Sequence, residues 1–194
     1  MKNASKLLLT LLLSPAVFSQ GNISGNMETV FQYLNEDSII NAKQPIQKGL
    51  LNSYMNVFYT QGNFKAGMRF ESYLPRIQGY PNRFDGTGIG MRYVGYQNEF
   101  VDVTLGTFYE QFGTGLALRT YEDRNLGYDN LLDGARIILR PGKGFVVKGV
   151  YGTQRLSFQQ GQIVHGAGLV RGIDGEFHLN EGLSFMKDKA LDVV

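Results

Sequence analysis

Apolar and polar side chains alternate along the segment from Phe64 to Leu74. The apolar residues occupy even positions, interrupted only by Ser72, and they are Phe64, Ala66, Met68, Phe70 and Leu74. Charged residues occupy odd positions, namely Lys65, Arg69 and Glu71. Because successive side chains of a β-strand point to opposite faces, this segment is predicted to be a strand with one apolar face and one charged face.

The same alternation recurs and predicts about eight strands. They cover residues 23–34, 50–60, 64–74, 87–97, 101–110, 134–140, 145–156 and 166–180. Most of them approach the length of about 9–11 residues that a tilted membrane strand needs. The short segment Gln61-Gly62-Asn63 predicts a tight hairpin between the second and third strands.

The predicted connections alternate in length. Those after the second, fourth and sixth strands are short, whereas those after the first, third, fifth and seventh are longer, and residues 111–133 form the longest. Short turns at one end and long loops at the other are typical of outer-membrane barrels. Tyrosines close to strand ends suit the aromatic girdles of such barrels, and they are Tyr33, Tyr59, Tyr73, Tyr93 and Tyr109.

The first residues predict a secretory signal peptide. Lys2 and Lys6 precede a leucine-rich run, and Val17 and Ser19 offer a cleavage site after Ser19. We therefore divide the chain into a signal peptide, residues 1–19, and a β-barrel domain, residues 20–194. The apolar run is too short for a spanning helix, so the sequence predicts export to the bacterial outer membrane.

The amino-acid composition excludes several classes of functional site. The chain has no cysteine, which excludes disulfides, thiolate metal sites and cysteine nucleophiles. Its 19 basic and 17 acidic residues give a net charge of +2, so no overall field attracts nucleic acid. The 25 glycines, 11 tyrosines and 13 phenylalanines suit aromatic-rich strands joined by tight turns.

Together these patterns predict an all-β, antiparallel, up-and-down transmembrane β-barrel. Its apolar side chains would face lipid and its ionic side chains would line a lumen. Residues 181–194 show no alternating strand with a terminal aromatic, so we expect this chain to be the N-terminal part of a longer, porin-like barrel. Two alternatives remain: a soluble exported β-domain that binds glycans, and a barrel-embedded hydrolase.

Two groups of charged residues are candidates for a lumen or a constriction. Strand residues predicted to point inward are Lys65, Arg69, Glu71, Arg92, Asp102, Glu110, Arg136, Asp174 and Glu176. The long loop adds Arg119, Glu122, Asp123 and Arg124. This loop would either fold inward and constrict the lumen, or lie outside as a solvated, salt-bridged loop.

No motif for catalysis or cofactor binding stands out. Phe112-Gly-Thr-Gly115 lacks the third glycine and the lysine of a phosphate-binding loop. A calcium site built from Glu122, Asp123, Asp129 and Asp133 would not have the spacing of an EF-hand. We therefore predict no catalytic residue, no metal and no cofactor. The expected partners are outer-membrane lipid, a small solute and a surface protein assembly, without nucleic acid.

Several short segments resemble a family of uncharacterised exported proteins of the Bacteroidota type. The segments are Asn22-Ile-Ser-Gly-Asn26, Gly67-Met-Arg-Phe-Glu71, Gly113-Thr-Gly-Leu-Ala-Leu-Arg119, Tyr121-Glu-Asp-Arg124 and Leu126-Gly-Tyr-Asp-Asn130. The resemblance extends over about residues 21–181. It implies a Gram-negative outer-membrane β-barrel whose relatives are longer, and it carries over no catalytic residue.

Overall fold

The computed structural model describes residues 21–43, 46–178 and 192–193. In this part of the chain there are eight long strands: β1 Asn22–Tyr33, β2 Gly49–Gln61, β3 Phe64–Tyr73, β4 Gly86–Gln97, β5 Val101–Phe108, β8 Leu132–Gly142, β9 Phe145–Gln159 and β10 Gln162–His178. Three strands of two residues complete the set: β6 Glu122–Asp123, β7 Tyr128–Asp129 and β11 Asp192–Val193. The predicted signal peptide and most of the C-terminal segment lie outside the described residues.

The long strands form one antiparallel meander. The sheet order is β1-β2-β3-β4-β5-β8-β9-β10-β11, so each long strand pairs with the long strand next to it in the chain. Strands β6 and β7 form a separate small hairpin. This confirms the all-β, antiparallel, up-and-down fold. The described part of the chain has no ladder between β1 and the far end of the sheet, so the sheet is open. It also contains no helix that is long and apolar enough to cross a membrane.

The sheet has two chemically different faces. We call the side that carries Arg69 and Glu71 the inner face, and the side that carries Met68 and Phe70 the outer face. Arg69 and Glu71 are 3% and 0% exposed, whereas Met68 and Phe70 are 43% and 38% exposed. Exposed apolar residues at corresponding positions of other strands are Ile23, Met27, Phe31, Met55, Val57, Leu105, Ile137, Tyr151 and Ile173. On β3 the charged side chains are therefore covered and the apolar ones are exposed, and the exposed apolar positions continue across the sheet.

The sheet curls around its inner face. Asp85 N donates a hydrogen bond to Phe158 O at 2.7 Å, and Phe158 N donates one to Arg83 O at 2.9 Å. These bonds join the loop after β3 to the end of β9. The aromatic residues Tyr54, Tyr73, Phe84 and Phe158 form a buried cluster at this junction.

The connection after the seventh long strand is not the longer loop that we predicted. Strands β9 and β10 are joined by Gln160 and Gly161, whose φ angles are 53° and 78°. Positive φ at both central residues is what the tight turn of a twisted hairpin requires. The alternation of loop lengths that we predicted is therefore wrong at this point. Glutamine rarely takes such a conformation, which is why the sequence did not indicate this turn.

Three of the five predicted girdle tyrosines lie on the other face. Tyr73 is 1% exposed in the aromatic cluster, Tyr93 lies on the inner face over Gly67, and Tyr109 donates a hydrogen bond to Asp129. Tyr33 and Tyr59 are exposed, as predicted.

Other aromatic residues occupy the edge of the outer face next to the short turns. The rings of Phe64 and Tyr96 are 5.2 Å apart in an edge-to-face contact. The rings of Phe145 and Phe177 stack at 4.2 Å. An aromatic row therefore follows this edge, made chiefly of residues that the sequence analysis did not select.

Arg92 is on the outer face, so the prediction that it points inward is wrong. Arg69 pairs with Met91 whereas Phe70 pairs with Ile89, so the ladder skips Gly90. This bulge exchanges the two faces for the following residues of β4, and the Arg92 side chain is 54% exposed. Glycine at position 90 leaves room for the buried Glu71 side chain, because a Cβ there would lie 2.0 Å from the Glu71 carboxyl carbon and would displace it.

Candidate functional site

Two arginines and two carboxylates form a buried cluster on the inner face. Arg69 on β3 donates to Glu71 Oε1 and to Asp129 Oδ2, both at 2.8 Å. Arg155 on β9 donates to Glu71 Oε2 at 2.7 Å and to Asp129 Oδ2 at 2.9 Å. We call Arg69, Glu71, Asp129 and Arg155 the arginine cluster. It ties together two distant strands and the segment that precedes β8.

Neighbouring groups add hydrogen bonds to the cluster. The Tyr73 hydroxyl donates to Glu71 Oε2 at 2.9 Å, and the carbonyl of Gly90 accepts from Arg155 at 3.2 Å. Buried charges are stable only when they are paired and hydrogen-bonded. The cluster meets this condition for both carboxylates, so it stabilises one particular arrangement of β3, β9 and the loop.

The long loop folds against the inner face. Glu122 Oε2 on β6 accepts a hydrogen bond from Arg69 at 2.8 Å. Arg124 pairs with Glu122 at 3.0 Å and with Glu28 on β1, and its guanidinium lies 4.4 Å from the centre of the Tyr54 ring. These contacts are incompatible with the alternative of an outward, solvated loop. The β6–β7 hairpin covers the inner face and is anchored there by charge.

Two predicted loop residues do not join these contacts. Asp123 Oδ1 accepts hydrogen bonds from the backbone N–H groups of Asn125 and Leu126, so it shapes the hairpin turn. Arg119 is exposed, and its guanidinium lies 5.0 Å from the Tyr121 ring. Neither side chain faces the arginine cluster.

Burial shifts the pKa of groups in the loop. It raises the pKa of the Asp129 carboxyl, while the guanidiniums of Arg155 and Arg69 act in the opposite direction. Burial also raises the pKa of the Tyr109 hydroxyl, and the adjacent Asp129 carboxylate raises it further. Tyr109 therefore remains a neutral donor, which holds the carboxylate on the side opposite the two arginines.

A second set of ion pairs crosses the inner face nearer the short turns. Asp102 accepts from Lys65 at 3.1 Å and from Arg136 at 2.7 Å. Arg136 also pairs with Glu110 at 3.4 Å. Lys148 continues the series, with Glu176 at 2.5 Å and Asp174 at 4.0 Å. We call these residues the charge ladder. Because opposite charges on neighbouring strands attract, the ladder supports the register of the sheet.

Two adjoining cavities open on the inner face. The smaller has a volume of about 220 Å³ and includes Lys65, Arg136 and Tyr93 in its wall. The larger has a volume of about 500 Å³ and includes Asn26 and Asn56. Met91 and Tyr109 belong to both walls. The cavities are therefore neighbours between the charge ladder and the β6–β7 hairpin.

The proposed calcium ligands do not converge. Glu122 and Asp129 are engaged by arginines, and Asp133 pairs with Arg92 and His165 on the outer side. Among the residues that the structure describes, no group of three or more His, Cys, Asp or Glu side chains could hold a metal ion.

Sequence reasoning missed Arg155 and Lys148. The residues next to Lys148 in β9 are not charged and point to the other face of the sheet. This alternation could have identified Lys148 as an inner residue. Arg155 could not be found in this way, because the buried positions of β9 change from even numbers to odd ones between Gly152 and Arg155. Only the folded structure brings Arg155 to Glu71.

Comparison with known proteins gives a family but no characterised relative. Residues 1–193 match the family of unknown function DUF6029, and the chain belongs to that family. No curated protein and no solved structure matches the chain. Membership in a family of unknown function is thus confirmed. The bacterial group and the membrane location stay predictions.

Proposed function

We propose that this member of family DUF6029 is an exported outer-membrane β-barrel protein whose interior is partly filled by the β6–β7 hairpin. The distribution of burial carries the proposal. Arg155 is 1% exposed, whereas Ile173 on the outer face is 83% exposed. A water-soluble sheet buries its apolar face and solvates the other. The opposite arrangement is that of a barrel in lipid.

Strand length and the position of aromatic residues support the same proposal. Strands β2 and β4 contain 13 and 12 residues, enough to cross the hydrocarbon core of a bilayer at the usual tilt. Phe64, Tyr96, Phe145 and Phe177 follow one edge of the outer face, where an interfacial girdle would lie. In a barrel in lipid, the two edges of the described sheet would be paired or covered.

The inner face favours a structural or solute-receptor role over that of a wide, open pore. Its largest charged side chains are engaged with one another rather than lining a free channel. The cavities near the charge ladder leave room for a small solute. Glu71 and Asp129 are each held by two arginines, so no observation favours a hydrolase.

Cysteine labelling in isolated outer membranes tests the proposal, because the natural chain has no cysteine. Val57→Cys and Met68→Cys place a thiol on the outer face. Ile39→Cys, in the loop after β1, is the water-exposed control because Ile39 is 93% exposed. We expect the two outer-face thiols to react with a lipid-soluble maleimide and to resist a charged, membrane-impermeant one. The Ile39→Cys thiol should react with the charged reagent.

Two results would overturn the proposal. One is rapid reaction of Val57→Cys and Met68→Cys with the charged reagent in folded protein. The other is recovery of the protein in the soluble fraction with no change of gel mobility on heating. The second result would favour the soluble glycan-binding alternative.

A further inference from the structure

We propose that the smaller inner cavity is a binding site for a small organic anion, with a carboxylate or phosphate at Lys65 and Arg136 and an apolar or ring-shaped body against Tyr93 and Met91. The inference rests on the proposed function, since it assigns a ligand class to the interior of the same barrel. It goes beyond that function by naming the residues that select the solute.

The charged residues that line the cavity are both cations. Two cations, Lys65 and Arg136, belong to the wall, and no acidic residue does. Their common partner Asp102 is less exposed than either, with a side chain 7% exposed against 25% for Lys65 and 16% for Arg136. Glu110, which also pairs with Arg136, is 9% exposed. The cations are thus the members of the ion pairs that a solute would meet first.

Both cations retain hydrogen-bonding capacity. The Nε–H of Arg136 is buried and has no hydrogen-bond partner among the described residues. A small shift of the guanidinium toward a bound anion would give this N–H an acceptor. The Lys65 ammonium donates to Asp102 and to Gln97, and an ammonium has a third N–H.

The rest of the wall suits an apolar body. The Tyr93 ring and the Met91 thioether border the cavity, and both are good surfaces for a flat or flexible apolar group. The volume of about 220 Å³ accommodates a small molecule. Through the shared wall at Met91 and Tyr109, a longer solute would reach the amides of Asn26 and Asn56 in the larger cavity.

Binding to the full chain, purified in detergent or reconstituted in lipid, tests the inference by calorimetry. Benzoate and phenyl phosphate are the anionic probes, and benzamide is the neutral probe of the same shape as benzoate. We expect saturable binding of the anions and at least about tenfold weaker binding of benzamide, because the neutral amide cannot form charged hydrogen bonds with Lys65 and Arg136.

Single substitutions test whether Lys65 and Arg136 form the binding site. Lys65→Gln and Arg136→Gln should each weaken binding of the anions about tenfold or more. Each change leaves Asp102 one cation, so folding should persist and is checked by circular dichroism. Lys65→Arg keeps the charge and should retain binding. Arg92→Gln is the matched control, because Arg92 lies on the neighbouring strand but on the outer face, and it should bind as the natural protein does.

The outcomes separate this inference from the proposed function. Equal affinity for benzoate and benzamide, no saturable binding, or unchanged affinity in the Lys65→Gln and Arg136→Gln variants would overturn the anion site. If the thiols on the outer face label from lipid in the same preparations, the barrel proposal stands while the site fails. Anion binding by a protein whose outer face labels from water would instead retain the site and refute the barrel.

Discussion

Arg155 on β9 donates hydrogen bonds to both carboxylate oxygens of Glu71 on β3, at 3.0 and 2.7 Å, although 84 positions separate the two residues in the chain. Both side chains have no exposed surface. This pair spans the inner face of the curled sheet. It joins the first half of the chain to the second.

Removing Arg155 should be strongly destabilising. Arg155→Leu leaves Glu71 and Asp129 buried with one guanidinium between them. We expect the free energy of unfolding to fall by about 3–5 kcal/mol, as when one member of a buried ion pair is removed. The midpoint and slope of urea unfolding, followed by circular dichroism in a fixed lipid or detergent, measure the change.

Arg92→Leu is the control for that change, because Arg92 forms an exposed ion pair with Asp133. It should alter the free energy of unfolding by less than about 1 kcal/mol. Equal losses in the two variants would mean that the arginine cluster has no special role in stability.

The turn of the β9–β10 hairpin packs against Gly88 of β4. A Cβ at Gly88 would lie 2.0 Å from the carbonyl oxygen of Gly161. Gly88→Ala should therefore push the hairpin away and lower the free energy of unfolding by about 1–3 kcal/mol. Gly175→Ala is the control, since a Cβ there has no neighbour within 4 Å. The free energy of unfolding of this control should stay within about 0.5 kcal/mol of that of the natural protein. A similar loss in both variants would contradict the packing of the hairpin against Gly88.

Alkaline pH should destabilise the fold through Tyr109. Burial and the Asp129 carboxylate raise its pKa in the folded state, so the folded protein keeps a proton that the unfolded chain loses above about pH 10. Stability should thus fall as pH rises beyond that value, by up to about 1.4 kcal/mol per pH unit for such a group.

Tyr109→Phe checks the assignment. The variant should lose about 1 kcal/mol at pH 8, because the hydrogen bond to Asp129 is gone. Its further loss between pH 8 and pH 11, measured by urea unfolding, should be smaller than that of the natural protein. An identical loss over this interval would show that Tyr109 does not contribute to it.

A charged residue introduced on the outer face tests whether that face contacts lipid or water. Met68→Lys should reduce the amount of heat-modifiable protein in the outer membrane, because a lipid-facing lysine without a partner costs up to about 2–4 kcal/mol, whereas Arg92, opposite Met68, is paired with Asp133. Met68→Leu keeps the position apolar, and Ile39→Lys adds the same charge to an exposed loop. Both controls should assemble normally. Normal assembly of Met68→Lys would argue that this face contacts water.

Much of the architecture was predictable from local pattern. The alternation from Phe64 to Leu74 identified strand β3 to within one residue. The tight hairpin predicted at Gln61-Gly62-Asn63 was confirmed, although Gln61 still belongs to β2. The inward orientation of Lys65, Arg69 and Glu71 agrees with the same pattern, because alternation is a direct geometric property of an extended chain.

The candidate site was less predictable, because it depends on events that alternation does not encode. The bulge at Gly90 moves Arg92 to the outer face, and the change of buried positions along β9 brings Arg155 inward. A shift of one residue exchanges the two faces of all following residues until it is compensated. Neither shift carries a clear signal in the sequence.

The sequence by itself determined that this chain forms two-faced antiparallel strands, since the period of two follows from backbone geometry over neighbouring residues. Only the tertiary structure decided that the charged face is the covered one, that the β6–β7 hairpin folds onto it, and that Arg155 meets Glu71. These features depend on curvature and register accumulated over several strands, and buried charges are stable only where their partners, distant in the chain, come within hydrogen-bond distance.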